Sequence, residues 1–285
     1  MRFAFIDRCR GFLPHTHLSR LLAVTDRGLR AWRRRPPSRR QRTDMALLTH
    51  TGDRRRASLG SYGRPRMTGE LKELSLDARH RRVGRLMRQN GVKALRTRKH
   101  KATTDGDHSL NISPNLLFQD FWASSSNQKW AGDISYIRTH KGWVYLAVIL
   151  NLHSRRAVGW AISNRLKSDL AVHALVMAIA LRRPPNGCIH HADRGSQYCS
   201  HNNQKLLIQH GLRTSMIGMG NCYDSAAVET FLKTIKAEMI WRRSWPARRS
   251  SRSRRSDTST AFYNPRRRHP ALGWKSPLAY ERKAA

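Results

Sequence analysis

Acidic residues are scarce in this chain: 18 Asp and Glu stand against 55 Lys and Arg among 285 residues, a formal charge of +37. That charge is far beyond what solubility needs and concentrates a protein on polyanions, nucleic acid above all. Long apolar runs are missing as well. Trp143–Leu150 and Leu170–Leu181 are the longest, and both fall well short of the about 20 residues that span a membrane. A basic membrane protein is therefore the weaker reading. The opening Met1-Arg-Phe-Ala-Phe-Ile lacks the apolar stretch and cleavage site of a signal peptide. Cysteine is sparse and scattered: Cys9, Cys188, Cys199 and Cys222 form no Cys-x-x-Cys step. That disfavours a zinc knuckle or a disulfide framework and points to free thiols in a cytoplasmic protein.

What the chain does have is ordered along its length. Residues 1–96 are Arg-rich and read as a helical DNA-binding region. Leu18, Leu21, Leu22 and Val24 give a small apolar face, and Thr25 is placed to cap a helix over Asp26–Trp32. A helix at Leu18–Val24, a short turn and then this Thr25-capped helix carrying Arg27, Arg30 and Arg33 make a helix-turn-helix candidate, with those arginines expected on DNA. The basic stretch from Arg33 to Arg40 contains Pro36-Pro37 and reads as a linker. A second helical pair comes after Gly60–Arg66, marked by Leu71 and Leu74 and then by Val83, Leu86 and Met87. A plain helical bundle with a solvated basic surface is the competing reading. Residues 97–126 are polar and turn-rich, a linker.

From residue 127 to 245 the pattern changes. Asp133–Ile137, Trp143–Leu150 and Ala157–Ile162 are three strand-like runs separated by short turns. Leu170–Leu181 reads as a helix, Cys188–Ala192 as a fourth strand, Gln204–His210 as a helix and Ala226–Trp241 as a longer one. Three strands in sequence, a helix, a strand and more helices describe an RNase H-like α/β domain. Residues 246–285 form a basic C-terminal segment.

Three carboxylates fall at element boundaries within this domain. Asp133 lies in the first strand, Asp193 just beyond the fourth, and Glu229 thirty-five intervening residues later in the first turns of the last helix. Neighbouring strands bring the two aspartates to one edge, with the glutamate projecting from a helix beside them. Carboxylate oxygens suit magnesium, and two cations can drive in-line attack at a phosphodiester. Each acid also has an ordinary structural reading: a turn for Asp193, an exposed helix face for Glu229. Lys236, seven positions after Glu229, is expected on roughly the same helix face. His190 and His191 are expected to pack beside the strand rather than to bind metal.

These residues carry a resemblance. Trp130-Ala-Gly-Asp133-Ile-Ser-Tyr-Ile137, His153-Ser-Arg-Arg-Ala-Val-Gly-Trp160 and His190-His-Ala-Asp193-Arg-Gly-Ser-Gln-Tyr198 come first. Gly220-Asn-Cys-Tyr-Asp224-Ser-Ala-Ala-Val-Glu229, Lys233-Thr-Ile-Lys236-Ala-Glu238 and Tyr263-Asn-Pro-Arg-Arg-Arg-His269 come after them in order. Together they resemble the integrase-type Asp-Asp-Glu transposases of bacterial insertion sequences, specifically the second-reading-frame product of two-frame elements. The resemblance implies an integrase catalytic core of RNase H-like fold behind an all-α helix-turn-helix region. It implies Asp133, Asp193 and Glu229 as catalytic residues and ligands of two Mg²⁺ (or Mn²⁺) ions. Metal-dependent cleavage and strand transfer of element ends would proceed without a covalent enzyme intermediate. Lys236 matches a DNA-contacting lysine, and Gln197 and Tyr198 are weaker candidates for positioning a strand. Implied partners are transposon ends, target DNA, the upstream-frame protein (separate or fused) and further copies of the chain on DNA. No membrane is implied, and the implied place is the bacterial cytoplasm, at the nucleoid. The alternative is a catalytically inactive DNA-binding remnant. A nuclease acting on RNA–DNA hybrids is disfavoured by the two helix-turn-helix candidates.

Departures from that pattern are of two kinds. Asn151 stands where relatives usually carry Asp, Ala192 where Ser is usual, and Ser225 where Asn is usual; none is a proposed ligand, but Ser225 bears on the turn presenting Glu229. Residues 246–261, rich in Arg and Ser, hold no large apolar side chain, where relatives place an amphipathic helix ending in a Tyr-Ile-Asn-Gly-like run. If Asp257–Ala261 are encoded GAT-ACA-TCA-ACG-GC, the neighbouring frame reads TAC-ATC-AAC-GGC, which is Tyr-Ile-Asn-Gly. Two readings stay open: compensating frameshifts near Trp245–Ser250 and Ala261–Phe262, or a basic, unstructured DNA-binding loop. The codons decide. Gly52–Ser58 is similarly poor in apolar residues where relatives carry a helix.

Overall fold

The computed structural model describes residues 2–9, 13–94, 110–140, 142–218, 226–240 and 262–284. These form two compact units, Met1–Gly52 and Asp53–Ala285.

The first unit is helical: α1 (Arg2–Arg8), α2 (His15–Leu21), α3 (Asp26–Arg34) and the start of α4 (Arg39–Ala57). Thr25 caps α3 as its sequence position predicts, its Oγ1 accepting the Gly28 N–H at 3.1 Å. Ile6, Leu18 and Leu29 form its small core, flanked by a stacked Phe3–Trp32 pair. The basic linker is shorter than expected, since α3 runs to Arg34 and α4 begins at Arg39. Helix α4 continues to Ala57, so most of Gly52–Ser58 is helical despite its few apolar residues.

In the second unit, the expected helical pair appears as α5 (Arg64–Glu73) and α6 (His80–Gln89). Met67, Leu71, Val83, Leu86 and Met87 are its buried apolar side chains. A five-stranded sheet comes next, in the order β3-β2-β1-β4-β5. Strands β1 (Lys129–Thr139), β2 (Gly142–Asn151) and β3 (Arg156–Ser163) are antiparallel; β4 (Ile189–Ala192) and β5 (Arg213–Met216) join parallel to β1 and to each other. Sequence reading missed β5. Arg213-Thr-Ser-Met216 has no apolar run, and its strand form comes from pairing with β4.

Helices cover both faces. On one face, α7 (Ser168–Arg182) and α9 (His201–Gln209) pack over Trp130, Ala147, Ile149 and Val158. On the other, α10 (Ala226–Ile235) lays Val228, Phe231, Leu232 and Ile235 on Ala131, Ile137, Val148 and Leu150. Side chains alternate across a strand, so Asp133 shares the α10 face with Ala131 and Ile137. The close seating of α7 depends on Gly159: a Cβ there would run into the Ala174 carbonyl oxygen and stand 2.8 Å from Ala178 Cβ.

After Ile235 the helix does not continue as an α-helix to Trp241. Lys236–Ile240 forms a π-helical turn, and Trp241 lies outside the described residues, as do residues 219–225 and 241–261. The Ser225 turn and the 246–261 segment are therefore not described. Of the predicted linker, residues 113–116 lie along edge strand β5, where the Leu116 N–H donates to Ser215 Oγ and the Met216 N–H to the Pro114 carbonyl. Leu117 and Phe121 pack into the core on the α10 face. The C-terminal segment packs too. Tyr263, Asn264 and Arg267 are buried, and α11 (Pro277–Ala284) is held by Glu281, which accepts from Arg156, Arg182, Ser154 and Asn151. Asn151 is thus a structural donor. Ala192 packs with Ala171 and Tyr198.

Candidate active site

The sheet register brings the first two acids together. Parallel pairing of β1 with β4 sets Ala131 beside His191, and Asp133 and Asp193 each lie two residues further on. Asp133 Oδ1 accepts the Ile134 N–H at 2.6 Å, and Asp193 Oδ1 accepts the Gly195 N–H at 2.9 Å in a side-chain-closed turn. Burial, then the charge of Asp193, with a smaller push from Glu229, raises the Asp133 carboxyl to about 8. An acid of intermediate exposure, raised by desolvation and then by like charges, is a candidate for a functional cluster.

Glu229 stands somewhat apart. Its carboxylate is part-exposed and accepts from Lys233 Nζ at 2.9 Å, one helical turn on. Among the described residues, no three His, Cys, Asp or Glu side chains are grouped closely enough to hold a metal ion. The sheet joins the aspartates, while Glu229 reaches Asp133 as a neighbouring charge from α10. Lys233 is a further charged neighbour of Glu229, and its four-residue spacing is the signal in the sequence that marks the pair.

Lys236 is buried, at 6% relative exposure. Burial lowers its ammonium below the ordinary lysine range, and the charge of Asp133 works against that shift. Lys236 thus lies within electrostatic reach of Asp133, buried where Glu229, seven positions earlier, is part-exposed. Tyr198 is placed differently from its expected role. It is buried rather than presented to a strand, with its ring beneath Gly132 and its hydroxyl without a hydrogen-bond partner. Desolvation, then Asp133 and Asp193, holds its hydroxyl well above the usual phenol range. A Cβ at Gly132 would stand 3.1 Å from His190 Nε2 and 3.4 Å from Tyr198 Cε1, which fits glycine at the step before Asp133. Gln197 is half-buried in the short helix α8 (Ser196–Cys199). His190 and His191 are buried as expected; burial pushes His190 down to about 4, and His191 Nδ1 lies 2.8 Å from Ser215 Oγ.

In the first unit, Arg27, Arg30 and Arg33 are exposed on α3. Arg33 also donates to Asp7 at 3.0 Å.

A mixed five-stranded sheet with two aspartates at adjacent strands and a glutamate on the covering helix defines an integrase-type catalytic core. Residues 123–222 match the family model described as Integrase core domain. Over 290 aligned positions the chain is 38% identical to Transposase InsF for insertion sequence IS3A of Escherichia coli (strain K12), covering 99% of both chains. It is 36% identical to the Insertion element IS600 uncharacterized 31 kDa protein of Shigella sonnei, covering 93% of this chain and 98% of that one. The chain belongs to the Asp-Asp-Glu insertion-sequence transposases. Among solved structures, the HTLV-2 integrase catalytic core domain in complex with magnesium (trimeric form) covers 56% of this chain and 99% of its own, at 14% identity and a TM-score of 0.44.

Proposed function

We propose that the chain cuts the ends of its insertion element and joins them to target DNA by metal-dependent phosphoryl transfer at Asp133, Asp193 and Glu229. The observation that carries this is the Asp133–Asp193 pair, each two residues beyond the Ala131–His191 partners of β1 and β4. There desolvation and then the Asp193 charge raise Asp133 to about 8. Such a pair carries more negative charge than its burial tolerates. It offers only oxygen donors, the set hard divalent cations prefer. The residues fit Mg²⁺ or Mn²⁺, two ions by this reading, held by the two aspartates with Glu229 completing the set once it leaves Lys233. When bound, the ions supply Lewis-acid charge to the attacking and leaving oxygens of an in-line displacement.

The chain's own residues do the rest. The Ile134 and Gly195 N–H groups hold the two aspartates in fixed rotamers. Lys236 sets a positive charge beside Asp133, where a scissile phosphate would lie. Gln197 flanks the same edge and is the side chain of α8 assigned to a DNA strand. Arg27, Arg30 and Arg33 on α3 give the first unit a basic face for phosphate contacts. No helix among the described residues is long and apolar enough to cross a membrane. The proposed setting is the bacterial cytoplasm at the nucleoid. There the chain acts on DNA as a homo-oligomer with the upstream-frame protein, separate or fused.

A plasmid carrying the element between its own ends tests the reaction. Incubation with the chain, the upstream-frame protein and Mg²⁺ is expected to release and join element ends, and Glu229→Gln is expected to stop both. Products that persist in Glu229→Gln would remove Glu229 from the reaction.

A further inference from the structure

The π-helical turn after α10 has an unexplained neighbour. Glu238, two residues beyond Lys236 in that turn, is buried and paired with Arg267 from the C-terminal segment, also buried. Arg267 Nε donates to Glu238 Oε2 at 3.0 Å and Nη2 to Oε1 at 2.8 Å, the two-pronged geometry only a guanidinium offers. Nη2 also reaches Thr234 Oγ1, at 3.3 Å, in the last turn of α10. The pair therefore grips the helix on both sides of Lys236.

The segment that supplies Arg267 is itself pinned. Asn264 exchanges two hydrogen bonds with the Ala157 backbone on edge strand β3, at 3.0 and 2.9 Å. The Tyr263 ring meets Phe231 of α10 edge-on at 4.5 Å, and the Arg267 guanidinium lies 5.7 Å from the Tyr263 ring centre. One residue further, Arg268 binds Glu70 and Glu73 of α5, while the Tyr62 hydroxyl donates to the Arg266 carbonyl and accepts the Arg268 N–H. A buried ion pair gives little net stability against an apolar replacement, but it fixes geometry well. π-Turns inside helices recur at functional sites, where one added residue re-aims the side chains after it.

We infer that residues 263–268 act as a strap whose Arg267, through Glu238, fixes the π-turn that holds Lys236 beside Asp133. Arg267 and Glu238 are positioning residues, acting through Lys236. The strap rests on the proposed role of Lys236, and it links that lysine to α5 through the adjacent Arg268.

Two measurements on the full chain separate the strap from the role of Lys236. The first is acetylation of lysines by a water-soluble anhydride, read by mass spectrometry. In the native chain Lys236 is expected to react at least about tenfold more slowly than half-exposed Lys233 on the same helix. In Arg267→Lys and Arg267→Ala that protection is expected to disappear, while Lys129, paired with Asp120 on β1, keeps its rate. The second is joining of DNA ends. Arg267→Lys is expected to lower the joining rate about tenfold at unchanged DNA affinity, and to add no further loss to Lys236→Ala. Continued protection of Lys236 overturns the strap. Loss of protection at Lys129 as well makes Arg267 merely structural, which also overturns it. If Lys236 is released while joining is unaffected, or if Lys236→Ala joins normally, the reading of Lys236 falls and its catalytic positioning falls with it.

Discussion

Asp133 carries an energetic penalty that the residue itself makes measurable. Its carboxyl sits at about 8 in the folded chain against an ordinary 3.8, so between those values the folded state holds more protons than the unfolded one. Stability contributed by the protonated acid is complete below about 4 and is lost as pH rises through about 8. Buried His190, pushed down to about 4, works in the opposite sense below about 6.5, so the Asp133 contribution is read as a difference. Without divalent metal, Asp133→Asn is expected to raise the melting temperature of the second unit more at pH 8 than at pH 5. At pH 8 the variant should gain at least about 3 °C, the shift roughly 1 kcal/mol produces in a unit of this size. Calorimetry in chelator checks both; an equal gain at the two pH values would mean that the Asp133 carboxyl is not raised in the folded chain. Asp193 and Glu229 were legible in the sequence as a residue just past a strand and one in the first turn of a helix. Asp133, expected at the start of its strand, instead lies inside β1, which begins at Lys129. Lys233 on Glu229 was legible as well. The burial of Tyr198 was not, because it depends on Gly132 leaving room on a neighbouring strand.

Elements, rather than single acids, account for several of the sequence words that look catalytic. Gly159, in His153–Trp160, serves the seating of α7 on β3; Asn264, in Tyr263–His269, brackets β3. Gly159→Ala is expected to cost about 1–3 kcal/mol through overpacking, seen as a lower denaturant midpoint for the second unit. A midpoint equal to the native one would show that α7 moves aside freely. Strands β1 to β4 and helices α7 and α9 were legible from periodicity, whereas β5 was not. Its four residues have no pattern of their own, and the β4 edge and the Leu116 N–H impose their conformation. The π-turn was hidden for a similar reason: the partner of Glu238 lies twenty-nine residues away, beyond a segment with no helical pattern. Past that segment the chain is in register with the fold, since Phe262, Tyr263, Asn264 and Arg267 are all buried. Whatever the codons of 246–261 reveal, the reading at 262 onward makes the contacts this fold needs.

Across the whole molecule the charge of +37 sets the terms on which DNA is met. Each phosphate neutralised by Lys or Arg releases a counterion, with a slope near −0.9 per contact in log affinity against log salt. Affinity for random duplex is expected to fall by at least about 10³ between about 50 and 200 mM salt, the loss that six or more phosphate contacts produce. Arg27→Ala and Arg30→Ala should each lower the slope by roughly one without sequence preference. A flat salt response would contradict a phosphate-led encounter. The chemistry itself is tested most directly by strand transfer on oligonucleotides bearing the element's own ends, with the upstream-frame protein supplied. Joined product that requires Mg²⁺ or Mn²⁺ and disappears in Asp193→Asn is the expected result. Joined product that forms without divalent metal, or that survives Asp193→Asn, would contradict a carboxylate-held metal site.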